Sequence, residues 1–516
     1  MLRRITRGAY EDLILPKGAR IVLTLALVIG FVALLLAAMV SLRWRYVHDS
    51  PLMIYAGYLI NSGAVPYRDF FDMNMPGTYA VMLLMGRVFG WDDLGFRYFD
   101  LLCIATLSTL TFLWMRGRGR FPALTAAIAF PLWYLAAGPG MSLQREFIAL
   151  LPFATMLAIA TVTNRLRPLT RMFLLGFLSG MTVLVKPSFI IMCLPVILYV
   201  LYGVTHQAPL SRSIALLLLG MSVPLGTAFL YLICTGSLMP FLDIAINYWP
   251  LYTNLSGSHE TISGGRRLLY LARGMRDGLF SIYLPMALIG IIVLIRAKTP
   301  ARETLMLSGL LVTSAIYPAM SGQFWEYHWM PFYYVALCAA SLSSSYVVNR
   351  KVIVETIAPV LAITFLLFTL SSLNVEASYK QLRGNRGVVP LKDGVPDDVF
   401  RFLSSNMKPG DTVQPLDWTG GAVHGMLMAR AKLATRFMYD FHFYHHVSTP
   451  YIQRLRKEFM NELANKKPAF IIEIVGNKPW PAGADTTREF PELQAFLGQY
   501  YIPVQTGTLY TILERK

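Results

Sequence analysis

Apolar positions along this chain gather into blocks of about 16–22 residues separated by short polar turns. About 20 such residues, wound as a helix, cover the hydrocarbon core of a bilayer, so the pattern predicts a chain that crosses a membrane many times. The first block, Ile21 to Leu42, is too long for a signal-peptide core and lacks a small-residue cleavage site, so it reads as a retained span. Basic residues mark alternate turns: Arg3, Arg4, Arg7, Lys17 and Arg20 precede the first block, and further clusters fall at 115–120, 163–171, 206–213, 296–303 and 349–351. Placing these inside puts 43–97, 138–146, the Lys186-Pro187 break, 236–278 and 319–330 on the outer face. The alternation requires 76–90 to be a surface helix, because a span there would carry Arg116, Arg118 and Arg120 outside. The expected architecture is a polytopic α-helical membrane protein of about eleven transmembrane helices, with the N-terminus inside.

Two stretches depart from this rhythm. Ser50-Pro51 reads as a helix start, serine at the N-cap and proline in the first turn, and Gly63 reads as its stop. The uncharged segment between them is only about 18 Å long, too short to cross but long enough to lie along the membrane surface. After the last expected span, 352–370, strand-like runs (DTVQPL, KLATRFMY, PAFIIEIVG, TGTLYTILE) alternate with helical ones (PDDVFRFLSSNM, VSTPYIQRLRKEFMNELANKK). A transmembrane domain, 1–374, is therefore expected to carry a small extracytoplasmic α/β domain, 375–516.

Composition sharpens this picture. The chain is 55% hydrophobic and 15% charged, where soluble domains carry about 25% charged residues. Its net charge of +17 raises nucleic acid as a partner, but the basic residues sit between apolar blocks and form no basic-aromatic module. Membrane lipids are the expected partner and nucleic acid is not. Cys103, Cys193, Cys234 and Cys338 lie in or beside apolar blocks without metal-ligand spacing, which predicts buried structural cysteines. HFYHH at 442–446 groups three histidines, but no carboxylate or cysteine recurs at ligand spacing, so an exposed loop is expected there.

The polar chemistry collects on the outer face. The first loop holds His48, Asp49, Arg68, Asp69 and Asp72; the second holds Gln144, Arg145 and Glu146. Lys186 interrupts an apolar stretch, and SGQFWEYHWMP brings Gln323, Glu326 and His328. Ionisable groups at membrane depth are costly and tend to line a cavity and pair there. Each also has a plain structural role open to it. Asp49 can cap its helix or pair with Arg45, Lys186 can reach to the interface, Arg145 can pair with Glu146, and the aromatic neighbours of His328 suit an interfacial belt.

The order of one span, an outer loop opening on an acidic residue, a short helix, GAVPYRDFFDMNMPGTY and then paired spans resembles the GT-C superfamily of membrane glycosyltransferases. Within it the pattern is similar to the bacterial relatives of protein O-mannosyltransferases and of the lipid A aminoarabinose transferase. The resemblance covers about residues 20–370 and implies an enzyme moving a sugar from a polyprenyl-phosphate donor to an acceptor on the outer face. It implies Asp49 as the catalytic base, although the family's acidic pair is here HDS. Many relatives have lysine before the second proline of the motif; here Met75 stands there, so Arg68, Arg145 or Lys186 must meet the donor phosphate. The short helix after Asp49 would then help roof the donor site.

The chemistry wants these groups. A base takes the acceptor hydroxyl's proton, while the leaving phosphate ester needs positive charge rather than a proton. A single carboxylate in a single displacement inverts the anomeric carbon, whereas a second carboxylate as nucleophile, Asp69 or Asp72, would retain it. Asp69, Asp72, Glu146, Glu326 and His328 are expected to bind substrate, and a divalent cation, Mg²⁺ or Mn²⁺, stays open as a cofactor without a DxD signature to fix it. The expected acceptor is a glycan, lipid or protein hydroxyl of the cell envelope, and the expected setting a bacterial inner membrane. The competing readings are a polysaccharide polymerase or ligase, which works through a large late outer loop, and a lipid-linked sugar transporter or flippase, which would favour internal repeats.

Overall fold

The computed structural model describes residues 17–162, 166–296, 299–345, 394–476 and 478–516. The span expected at 352–370 and the domain boundary at 374–375 lie outside them. Among the described residues, six helices are long and apolar enough to cross a bilayer: Arg20–Ser41, Asp93–Arg118, Pro168–Val185, Pro187–Val204, Leu210–Cys234 and Ala301–Ser321. A bent pair, Gly264–Leu279 and Tyr283–Arg296, makes a seventh if taken as one broken span. Not all of the eleven expected spans therefore have spanning length. Arg120–Ala136, Tyr283–Arg296 and Met330–Ser341 run only 17, 14 and 12 residues. The apolar block around 330 is divided, with a 3₁₀ turn at Glu326–Trp329 winding into the Met330–Ser341 helix. Pro76–Phe89, at 14 residues and about 21 Å, is shorter than the hydrocarbon core.

Large apolar side chains face outward, among them Leu218, Leu219, Phe229 and Leu230 at 52–60% exposure, as the surface of a multi-pass membrane protein requires. Close backbone approach joins some helices. A Cβ on Gly176 would fall 1.9 Å from the Leu217 carbonyl oxygen, and one on Gly220 would fall 2.0 Å from that of Phe173. At one end of the bundle, turns placed on a common side by their charge do meet, since Arg118 pairs with Glu303 at 3.5 Å.

Residues 394–516 build a five-stranded sheet in the order Lys432–Leu433, Thr412–Leu416, Phe470–Ile474, Tyr510–Arg515, Tyr501–Thr506. The first three strands are parallel and the last two antiparallel. The strand expected over KLATRFMY stops at Leu433 because its later backbone groups are taken elsewhere. The Gln414 side chain accepts from Thr435 N at 3.2 Å and donates to Phe437 O at 2.9 Å, while Arg436 O accepts from Phe71 N at 2.6 Å.

That last bond begins an extensive seam between the sheet domain and the loops at the other end of the bundle. Tyr55 OH donates to Ala431 O at 2.8 Å, Arg45 pairs with Asp397 at 2.7 Å, and Arg454 pairs with Asp243 at 2.7 Å. The seam corrects two expectations. The Ser50–Asn61 helix does not lie open along the membrane; it is buried from Ser50 to Gly57, between the Pro76–Phe89 helix and the sheet domain. The HFYHH loop is not exposed either, because His442 and His445 sit at 0% exposure beneath Phe71 and Tyr248. Cys234 differs too: it is exposed, while the other three cysteines are buried.

Candidate active site

Asp49, not Ser50, is the N-cap of the short helix, yet its side chain makes no capping bond. Arg45 does not claim it either, being held between Asp93 at 3.2 Å and Asp397 at 2.7 Å. The Asp49 carboxylate turns instead to the second outer loop, where Arg145 Nη2 lies 3.3 Å and Tyr327 OH 3.5 Å from its Oδ2. At 25% exposure it is half-buried and reachable. Both plain structural roles weighed for this residue are absent.

Arg145 opens the Arg145–Val162 helix and reaches in two directions. Its Nη2 meets Asp49, and its Nη1 donates to Asn74 Oδ1 at 2.6 Å. Its Nε is buried without a partner in the described structure. The next residue, Glu146, points to a second ion pair: Lys186 Nζ lies 3.0 Å from its Oε1, Tyr317 OH donates to the same oxygen at 3.2 Å, and His328 Nε2 is 3.9 Å away. Lys186 comes from the break between two apolar helices, where Pro187 holds the preceding residue extended at φ −149°, ψ 105°. Burial pushes the His328 imidazole down to about 3, so it is neutral at physiological pH. Two carboxylates and two cations, joined through neighbouring residues 145 and 146, form one site fed by three loops.

The backbone around these groups is held in sparse conformations. His48, Leu143 and Phe324 are non-glycine residues in the left-handed region, at φ 50°, 49° and 59°, each within a few positions of a site side chain. Such residues cost on the order of 1–3 kcal/mol and persist only when their surroundings fix them. For the Leu143 turn the surroundings are a buried network: Arg97 Nη1 donates to Ser142 Oγ at 2.6 Å and Asp100 at 3.2 Å, Tyr134 OH to Asp100 at 2.6 Å, and Leu143 N to Tyr134 OH at 2.9 Å.

The other sequence candidates fall elsewhere. Asp72 is 3% exposed and accepts from Met73 N, Asn74, Tyr79 and Tyr439 at 2.7–3.1 Å, so it is a fixed post that positions Asn74 under Arg145. Arg68 and Asp69 pair with each other at 2.8 Å, and Arg68 with Thr235 O at 3.0 Å; neither shares a bond with the Asp49 group. Glu326 is exposed, and among the described residues it has no hydrogen bond or ion pair to the group. Sequence reasoning missed Asn74, Tyr317 and Tyr327. The residues do not fit a resident divalent cation, since Asp49 and Glu146 each already face a cation and Asp72 is saturated by donors. Among the described residues no group of three or more His, Cys, Asp or Glu lies together as a ligand set.

A bundle of apolar helices with a sheet domain docked on its loops defines a multi-pass membrane protein. The chain is similar over 94% of its length, and 97% of the other, to the crystal structure of ArnT from Cupriavidus metallidurans bound to undecaprenyl phosphate, with TM-score 0.60 and 11% identity. The apo state of ArnT aligns over the same shares with TM-score 0.56 and 13% identity. The archaeal oligosaccharyltransferase AglB from Archaeoglobus fulgidus aligns over 86% of this chain and 69% of its own, with 12% identity and a TM-score of 0.47. No family model and no curated protein matches the sequence.

Proposed function

We propose that this chain is an integral membrane glycosyltransferase that moves a sugar from a polyprenyl-phosphate donor to an acceptor hydroxyl of the bacterial cell envelope. The observation that carries the reading is Asp49: a reachable carboxylate that neither caps its helix nor pairs with Arg45, but faces Arg145 and Tyr327. The fold shared with ArnT supports a lipid-phosphate donor. Arg145 and Lys186 meet the donor phosphate, the guanidinium through two parallel N–H groups and the ammonium as a point charge. This leaves Arg68 out of the phosphate site. When phosphate engages Arg145, the guanidinium's bond to Asp49 is given up and the carboxylate is free to accept the hydroxyl proton. The acceptor oxygen then attacks the anomeric carbon, the bond to phosphate oxygen breaks, and polyprenyl phosphate leaves as an anion with inversion. No metal is needed where two cations already stand. In this reading the site and the sheet domain face the periplasm from the inner membrane, with the N-terminus in the cytoplasm, as the alternation of basic turns supports.

The test is transfer of label from polyprenyl-phosphate sugars to extracted envelope material by the purified chain. Labelled glycan, lipid or protein product supports the reading and identifies the acceptor. No transfer from any pentosyl or hexosyl donor, with donor bound, contradicts it.

A further inference from the structure

The Gly264–Leu279 helix, GGRRLLYLARGMRDGL, carries features that sugar transfer does not use. Its inner face is fixed to the body. Arg267 donates to Thr253 O at 2.5 Å and Leu255 O at 3.2 Å, and Tyr270 OH to Gln323 O at 2.9 Å. Gly274 and Gly278 lie so close to Phe324 and Trp329 that a Cβ would fall 2.4 and 1.9 Å from a ring carbon. The outer face is uncovered: Leu268 is 71% exposed, Leu269 50%, and Phe280 just beyond the helix 86%. At about 3.6 residues per turn these three and Ala272 share one arc, which Arg276 interrupts between Ala272 and Leu269. Arg266 and Arg273, seven positions apart and both exposed, run along its edge. Arg276 pairs with Asp277 at 2.8 Å, whereas Arg266 and Arg273 face no carboxylate among the described residues. After a 65° bend the chain continues into the apolar Tyr283–Arg296 helix, which ties this face to the membrane boundary.

We propose that this helix lies in the headgroup layer of the bilayer, its apolar arc at the acyl boundary and Arg266 and Arg273 on the phosphates of anionic phospholipids. An apolar arc edged by cations is the signature of an interfacial helix, and each arginine at an anionic surface strengthens binding about fivefold. The covalent step into an apolar helix and the sign of the free charges choose the bilayer as occupant over a protein partner. Because the inner face grips Gln323, Phe324 and Trp329, lipid docking also steadies the loop that brings Tyr327 to Asp49.

Hydrogen exchange on the full chain tests this without passing through sugar transfer. Nanodiscs of phosphatidylcholine are compared with discs of an equal mixture of phosphatidylcholine and phosphatidylglycerol, one chain per disc. We expect exchange over 264–280 to slow about tenfold in the anionic discs, with 322–329 following. Arg266→Gln with Arg273→Gln, or high salt, should erase the difference while leaving exchange in phosphatidylcholine unchanged. Equal exchange in both lipids, or a difference that survives the double substitution, overturns the proposal. So does protection that appears only with two chains per disc or only when a lipid-linked acceptor is added.

Discussion

At Arg145 the whole reading turns on geometry that lysine cannot copy. The guanidinium spans Asn74 and Asp49 at once, at 2.6 and 3.3 Å. Arg145→Lys keeps the charge but loses the fork, and we expect kcat/KM to fall about tenfold or more, measured by initial rates at varied donor concentration. Glu146 asks a different question, because it is fully buried and its Oε1 answers Lys186 at 3.0 Å. Glu146→Gln leaves the ammonium without its countercharge, which costs about 3–5 kcal/mol. Thermal unfolding should show a large loss, and adding Lys186→Met should restore part of it. The charged members of this group were legible in the sequence because an ionisable residue in an apolar stretch is costly and therefore conspicuous. Tyr317, Tyr327 and Asn74 were not, since nothing in a chain with 27 tyrosines marks the one that will meet a carboxylate. Asp72 was legible as a site residue but not as a post, because its four donors come from as far along the chain as Tyr439.

Helix positions follow from apolar periodicity and helix lengths do not. The apolar blocks are helical where described, but the break at 326–329 leaves Met330–Ser341 below a bilayer thickness, and it and the Lys186-Pro187 break deliver Lys186, Tyr327 and His328 to the site. Packing between helices is set by residues the pattern treats as blanks. The reciprocal approach at Gly176 and Gly220 brings the Pro168–Val185 and Leu210–Cys234 helices to backbone contact. Gly220→Val must push them apart, and we expect a loss of about 1–3 kcal/mol, read as a lower unfolding temperature in detergent. The short helix after Asp49 shows the limit of local reading. Its boundaries and lack of charge were visible, but the sheet domain that covers it, more than 370 residues on, was not.

Across the molecule, the seam between sheet domain and loops decides what is buried. It encloses His442 among Phe71, Phe437 and Tyr439, and burial, aided by nearby Arg436, pushes the imidazole down to about 3. The unfolded chain protonates this group near 6.5, so acid favours unfolding. The stability it contributes is present above that value and lost as pH falls toward 3, at about 1.4 kcal/mol per pH unit. His442→Asn should flatten the fall of the unfolding temperature between those limits, whatever it does to stability at neutral pH.

The central claim is that Asp49 is the base, and the most direct measurement is single-turnover transfer by Asp49→Asn with donor binding followed in parallel. Asparagine keeps the size of the side chain but cannot take the proton. We expect donor to bind within a few-fold of the unsubstituted chain and the transfer step to slow at least about a hundredfold. Transfer at the unsubstituted rate, with the protein folded and donor bound, would show that Asp49 only opens a helix and would contradict the assignment.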